Sequence, residues 1–158
     1  MLTFCWNWQI ANPTTKSWRS ARVELSVSGG RNYDYPAGLA DEVGGRRRPV
    51  AGSKHVALRN DAFRAYADYM ETHAFLAGVE ELLVLAKSDS PTVMCSESLW
   101  WRCHRRLLAD HLVLVRGIDV VHLMHGGRST PHVPTEGVRL ADDTLVYDVG
   151  VTPRLSVT

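Results

Sequence analysis

Two cysteines, a glutamate and a histidine occur together in the segment Cys95–His104. Cys95 is followed two residues later by Glu97, and Cys103 is followed directly by His104. A cysteine thiolate can act as a nucleophile or a redox group. Carboxylate and imidazole side chains are the usual carriers of protons in general acid–base catalysis. We therefore predict a thiol-dependent enzyme or sensor whose catalytic residues are Cys103, Cys95, Glu97 and His104.

Arginines surround Cys103 in the sequence. Arg102 precedes it and Arg105 follows closely, and the apolar pattern predicts that Cys103 lies in the first turn of a helix. Nearby positive charge and a helix N-terminus both lower the pKa of a thiol. We therefore predict that Cys103 is the activated thiol and Cys95 the second, resolving thiol. The alternative is that both cysteines fill buried apolar positions, as free cysteines commonly do.

The arginines also predict a ligand. Planar guanidinium groups suit phosphate and carboxylate groups, and a helix start attracts anions. We predict a small anionic ligand, phosphate or nucleotide-like, bound by Arg102, Arg105, Trp101, Arg46, Arg47 and Arg128. A second hypothesis is a non-catalytic module that binds a polyanion such as nucleic acid through Arg46–Arg48 and the Arg102–Arg106 face. Solvated arginines without a ligand are the structural alternative.

A metal-stabilised fold is the third hypothesis. Cys95, Cys103 and a histidine at 122 or 125 could supply thiolate and imidazole ligands to zinc. The sequence contains no Cys-x-x-Cys pair. If Cys103 and His104 were neighbours on a helix, their side chains would point about 100° apart. We therefore predict no cofactor and keep zinc as the alternative.

The elements that position these residues form a predicted βαβ unit. A strand over 92–96, a helix over about 99–116 and a strand over 118–123 follow one another closely. Two strands joined in this way should be parallel and paired, with a right-handed crossover. Ligands of parallel sheets bind beyond the carboxyl ends of the strands. Cys95 and His122 are therefore predicted at the same sheet edge.

The rest of the chain predicts further elements of an α/β fold. Alternating residues over 22–28 indicate a strand, apolar periodicity indicates helices from about 61 to 70 and 74 to 87, and Asp142-Asp143 separates two short strands. We predict a single α/β domain with a mostly parallel sheet, flanking helices and a C-terminal β-hairpin. Residues 1–30 form a divergent N-terminal segment with one strand, and residues 31–158 form the remainder of the domain.

Bulk properties restrict the class of protein. The net charge of +1 gives no overall field for nucleic acid or an anionic membrane. The chain has three cysteines, an odd number that suits a reducing compartment rather than a disulfide framework. No signal peptide and no apolar run of about 20 residues is visible. We expect a cytoplasmic protein without a membrane partner, and the sequence sets no oligomeric state.

Several motifs resemble the bacterial family called domain of unknown function 488. They are GGRRRP at 44–49, RNDAFRAYADYM at 59–70, MCSESLWWRCHRRLLAD at 94–110 and GGRSTPH at 126–132. The resemblance covers about residues 40–150 and implies an α/β fold in a cytoplasmic bacterial protein, but no known reaction. Family members begin with a strand ending in Gly-His-Ser. This sequence has none, so the first βα unit is expected to be shortened or replaced.

Overall fold

The computed structural model describes residues 2–5, 42–88, 92–95, 97, 99–124 and 128–150. The strand predicted over 22–28, most of the predicted N-terminal segment and His125 lie outside these residues. Within the described ranges, none of the helices has both the length and the apolar character needed to cross a bilayer.

Two helices lie where apolar periodicity predicts them. Helix α1 spans Asp61–Tyr69 and helix α2 spans His73–Ser88. The side chain of Asn60 caps α1, because its oxygen accepts a hydrogen bond of 2.8 Å from the backbone N–H of Ala62. The predicted boundaries of both helices are confirmed to within one residue.

The third predicted helix is interrupted where the cysteine motif occurs. A short 3₁₀ turn spans Trp100–Arg102, and helix α3 spans only Arg105–Leu114. Cys103, between them, has extended backbone angles of φ −120° and ψ 155°. The Trp100 ring stacks on the ring of His122 with centroids 3.8 Å apart. This tertiary contact holds Trp100 in a position that continuous helical periodicity did not predict.

A mixed four-stranded sheet lies beside these helices. Its strands are β1 (Leu2–Cys5), β2 (Thr92–Met94), β3 (Val120–Leu123) and β4 (Ser129–Pro131), in the order β2-β1-β3-β4. Strand β1 pairs in parallel with β2 and with β3, and β4 pairs antiparallel with β3. The predicted direct pairing of β2 with β3 is therefore wrong, because β1, which the sequence did not indicate, lies between them.

The predicted hairpin forms a separate two-stranded sheet. Strand β5 spans Val138–Ala141 and pairs antiparallel with β6, which spans Thr144–Tyr147. Between them Asp142 and Asp143 have φ angles of 46° and 62°. Two successive positive φ angles are typical of the tight turns that match the twist of a hairpin.

The predicted fold class, a mostly parallel sheet with flanking helices, is wrong. Two of the four strand pairings in the described residues are antiparallel, and the β structure is divided between two small sheets. Each of these strands has only three or four residues. Such short strands give the sequence little alternation from which to infer their direction.

The core lies where α1, α2 and α3 meet the two sheets. Its fully buried side chains include Tyr66, Phe75, Leu82, Leu107, Leu108, Leu112 and Tyr147. Cys103 and His104, just before α3, are buried beside this core, where the His104 ring contacts the ring of Tyr66.

Candidate functional site

Cys95, Cys103 and His104 form a compact group, which we call the thiol–imidazole cluster. One ligand atom from each residue lies within 4.8 Å of the other two. The Cys103 sulfur is 3.3 Å from Nδ1 of His104. Cys103 and His104 are buried, Cys95 is half-buried, and neither cysteine is in a disulfide. The structure therefore brings together two thiols and one imidazole that the sequence singled out.

The backbone break before α3 brings the cluster together. Cys95 directly follows β2, and Cys103 and His104 lie between the 3₁₀ turn and α3. Because Cys103 is extended rather than helical, its side chain is not constrained to point 100° away from that of His104. The prediction that the side chains of Cys103 and His104 point away from each other is therefore wrong.

Two residues outside the motif hold the His104 ring. The ring of Tyr66 has its centroid 5.2 Å from that of His104, and the Tyr66 hydroxyl donates a 2.8 Å hydrogen bond to the carbonyl of Val43. On Gly45, a Cβ atom would be 2.2 Å from Nδ1 of His104. In the sequence Gly45 stands out only as part of the motif GGRRRP at 44–49, although its lack of a side chain is what admits the imidazole.

Replacing Gly45 with alanine should destabilise the fold by about 1–3 kcal/mol, the usual effect of overpacking. The new methyl group overlaps the His104 ring, so the ring or the loop must shift. Urea unfolding of the variant measures the change. Gly52 is the matched control, because a Cβ there has nothing within 4 Å, although its φ of 74° adds backbone strain. A Gly45→Ala protein that is no less stable than Gly52→Ala would contradict the close packing.

The electrostatics of the two cysteines differ. Hydrogen bonds from the Cys103 thiol and from His104 lower the pKa of Cys95. The pKa of Cys103 is raised, first by its hydrogen bond to Cys95 and then by burial. The sequence predicts the low pKa on Cys103, whereas the hydrogen bonding in this pair lowers the pKa of Cys95; the roles of activated and resolving thiol stay predictions. Cys95 is also the more exposed of the two.

Glu97 and Arg105 support the backbone near the cluster. Glu97 is half-buried, and one of its carboxylate oxygens accepts a 3.4 Å hydrogen bond from the N–H of Leu99. Arg105 is 1% exposed and donates to the carbonyl of Glu97. The charge of Arg105 also acts on the pKa of Cys103, which it lowers. Arg105 is therefore a buried part of the fold that faces the cluster rather than an open anion ligand.

The other predicted ligand-binding residues are mostly exposed to solvent. Trp101 is 41% exposed, and Arg46, Arg102 and Arg128 are exposed. Arg47 lies over the ring of Tyr69, with its guanidinium carbon 3.7 Å from the ring centroid. Within the described ranges, no hydrogen bond or ion pair joins Arg46, Arg102 or Arg128 to the cluster. The anionic ligand and the polyanion hypothesis stay predictions.

The match to a family model covers residues 13–112, more than half of the chain, and its description is "Domain of unknown function DUF488". The chain belongs to the DUF488 family. Comparison with curated proteins and with solved structures found no match. The match begins at residue 13, well before the resemblance expected from about residue 40, and ends before GGRSTPH at 126–132. It includes all three residues of the thiol–imidazole cluster.

This DUF488 protein contains a second buried polar group, which the sequence analysis missed. Asp110 accepts hydrogen bonds of 2.8 Å from His132, 2.9 Å from the N–H of Thr135 and 3.0 Å from the Tyr147 hydroxyl. His132 in turn lies 2.9 Å from His122. We call these five residues the Asp110 network. A charged residue among the apolar positions of α3 was the signal in the sequence.

Proposed function

We propose that this DUF488 protein is a metal-binding protein whose thiol–imidazole cluster holds one thiophilic divalent ion, zinc being the probe of choice. The observation that supports the proposal is the convergence of two sulfurs and one imidazole nitrogen within 4.8 Å. Thiolate and imidazole are the ligands that zinc prefers.

The distances in the cluster fit a tetrahedral ion. Zinc lies about 2.3 Å from sulfur and about 2.0 Å from imidazole nitrogen. Tetrahedral angles then place a sulfur and a nitrogen roughly 3.6 Å apart and two sulfurs roughly 3.8 Å apart. The Cys103–His104 separation of 3.3 Å is within a few tenths of that value, and the remaining pairs lie within 4.8 Å. Small side-chain rotations therefore suffice to complete the site.

Three protein ligands leave one position of a tetrahedral ion for water or a substrate. Catalytic zinc sites are built in this way, whereas purely structural sites use four protein ligands. The half-buried position of Cys95 gives solvent a route to the cluster, while Cys103 and His104 anchor it in the core. A metal ion in the cluster would be held by two buried ligands, Cys103 and His104, and would be open to solvent near Cys95.

Metal analysis tests the proposal. The full chain, purified without chelators, is expected to carry about one zinc per chain by elemental analysis. Cys103→Ser and Cys95→Ser should each carry less than a tenth of that amount, because each loses a thiolate. After replacement of zinc by cobalt, the sulfur-to-cobalt charge-transfer band should be present in the wild type and weaker in each cysteine variant.

A histidine pair supplies the control. His104→Asn should bind zinc at least tenfold more weakly, whereas His73→Asn should bind as the wild type does, because His73 is exposed at the start of α2. Undiminished zinc in the folded Cys103→Ser protein, or a wild type that takes up no zinc at all, would overturn the proposal.

A second candidate function is a dithiol redox pair, and the closeness of the two sulfurs, which lie within 4.8 Å of each other, favours it. A hydroperoxide would be the oxidant. The Cys95 sulfur attacks the O–O bond, which forms a sulfenic acid and releases an alcohol or water. The Cys103 sulfur then displaces the sulfenic oxygen as water, which leaves a Cys95–Cys103 disulfide. The exposure of the two residues makes Cys95 the attacking thiol and Cys103 the resolving thiol.

Mass spectrometry separates the two candidates. If the redox pair is correct, one equivalent of hydroperoxide should produce an internal disulfide in the wild type, and Cys103→Ser should stop at sulfenic acid on Cys95. Added zinc should slow this oxidation if the same sulfurs bind it. A protein that binds zinc and forms no disulfide after chelation supports the metal site alone.

A further inference from the structure

A cleft of about 780 Å³ lies away from the residues of the thiol–imidazole cluster. The loop before α1, Phe63 of α1 and Arg106 of α3 form one part of its lining. Thr135 and Gly137, before β5, and Val149, after β6, form the rest. Small-molecule sites commonly have volumes of about 300–1,000 Å³ and combine apolar walls with a few polar groups. This cleft has both the size and the mixed lining.

Two polar atoms of the lining are buried without a partner. In the described part of the chain, neither Nε of Arg106 nor the hydroxyl of Thr135 has a hydrogen-bond partner. Buried polar atoms are nearly always paired, so these two atoms leave hydrogen-bonding capacity unused beside the cleft, which a ligand can satisfy after a small side-chain rotation. This observation does not depend on the cysteines.

The charges of the lining favour an anion. Arg59 and Arg106 contribute positive charge and Glu136 contributes negative charge, so the cations exceed the anions by one. The guanidinium group of Arg106 lies 5.1 Å from the centroid of the Phe63 ring. This cation–π contact restrains the position of the guanidinium group. An arginine held in this way can present its remaining N–H groups to a phosphate or carboxylate.

Hydrogen bonds of backbone N–H groups hold the walls of the cleft in place. The N–H of Thr135 is bound by Asp110 at 2.9 Å, and the N–H of Val149 bonds to the carbonyl of Gly137 at 3.1 Å. A Cβ on Gly137 would lie 2.9 Å from Cβ of Ala57, and the φ of Gly137 is 82°. Glycine therefore allows the two walls to approach closely. Apolar surface remains at the mouth, because Val56 is 49% and Val149 is 53% exposed.

We infer that this cleft binds a small phosphorylated ligand with an apolar or aromatic portion. Arg106 and Arg59 hold the phosphate, Thr135 donates its hydroxyl to it, and Phe63, Val56 and Val149 contact the apolar portion. The site is separate from the proposed metal centre, and either one can exist without the other. It also differs from the anion site predicted from Arg102 and Arg105.

Titration with phenyl phosphate, followed by calorimetry on the full chain, tests the inference. Phenyl phosphate is expected to bind at least tenfold more tightly than either inorganic phosphate or phenol, because each of those probes lacks one half of the ligand. Arg106→Gln should weaken phenyl phosphate binding at least tenfold. Thr135→Val should weaken it severalfold while leaving the backbone N–H that Asp110 binds.

Two further arginine variants make the result specific. Arg139→Gln removes a cation from the exposed hairpin, where it pairs with Asp148, and should change the affinity by less than twofold. Arg102→Gln should also have little effect. The inference is wrong if phenyl phosphate does not bind, if folded Arg106→Gln binds it as tightly as the wild type, or if Arg102→Gln weakens binding more than Arg106→Gln does.

Discussion

Replacing Asp110 with alanine should lower the free energy of unfolding by about 3–5 kcal/mol, because it removes the acceptor that three buried or part-buried donors share. Asp110 is fully buried, and its carboxylate is the acceptor for His132, the N–H of Thr135 and the Tyr147 hydroxyl. Alanine removes the acceptor of all three donors. Each buried donor that loses its acceptor lowers the free energy of unfolding by about 1–3 kcal/mol. Domains of this size are stable by only about 5–15 kcal/mol.

Tyr147→Phe is the matched control for this variant. It removes a single hydroxyl and leaves Asp110 with its two other donors, so we expect a loss of about 1–2 kcal/mol. Urea unfolding followed by circular dichroism measures both variants. If Asp110→Ala does not fold, Tyr147→Phe still gives the energy of one hydrogen bond. An Asp110→Ala protein within 1 kcal/mol of the wild type would show that the network contributes little.

The Asp110 network connects three elements of the fold. His122 lies on β3, Asp110 on α3 and Tyr147 on β6, so the network joins both sheets to one helix. The His122 ring stacks on Trp100, which begins the turn that leads to Cys103. Thr135 belongs at the same time to the network and to the cleft lining. The buried carboxylate of Asp110 thus helps to position residues near the thiol–imidazole cluster and residues that line the cleft.

The helices could be predicted from the sequence because their signals are local. Asn60 caps α1, and apolar side chains recur along α1 and α2 at the spacing of a helix. Strand β1 could not be predicted in the same way. Only four residues form it, and its pairing partners lie about 90 and 120 positions further along the chain. Long-range pairing, not local pattern, decides that these residues form the central strand.

The sequence predicted which residues form the thiol–imidazole cluster, but it did not predict how the backbone positions them. Cys95, Cys103 and His104 are all residues that the sequence singled out, and the structure brings them together. The inference failed at Cys103, where apolar periodicity suggested an unbroken helix. The extended backbone at Cys103 is set by contacts of the preceding turn, such as Trp100 on His122, which a single sequence does not reveal.

The predicted arginines illustrate the same limit. Arg102 and Arg105 are equally plausible anion ligands in the sequence, but the structure exposes one and buries the other. Arg106, which the sequence analysis placed only on a cationic face, lines the cleft with a buried Nε that has no partner among the described residues. Arg102 lies in the 3₁₀ turn and Arg105 begins α3, so the direction of each side chain depends on where the helix starts, and that start differs from the prediction.

Stability should fall as the pH is lowered from about 6.5 towards 4, and His111 should account for a separable part of the change, beside His122 and His55, whose pKa values burial also lowers. Burial and the charge of Arg116 lower the pKa of His111 to about 4, against a smaller opposing effect of Glu80. In the unfolded chain the pKa of histidine is about 6.5. Between these values the unfolded state binds more protons, so acid favours unfolding. The contribution of His111 is present in full above pH 6.5, and about 3 kcal/mol is lost by pH 4.

His111→Leu should remove the His111 share of this dependence, leave the share of buried His122 and His55, and be at least as stable as the wild type at pH 7. The His111 side chain packs against the edge of Phe75, and in the described residues its Nε2 has no hydrogen-bond partner, so leucine replaces a poorly satisfied polar ring with apolar volume. Urea unfolding between pH 7 and 4 compares the two proteins. His73→Leu alters an exposed histidine and should keep the wild-type slope. Because all three proteins retain the same cysteines and His104, any acid release of metal is common to them, and the difference in slope isolates His111. Equal slopes for His111→Leu and the wild type would show that His111 titrates normally in the folded protein.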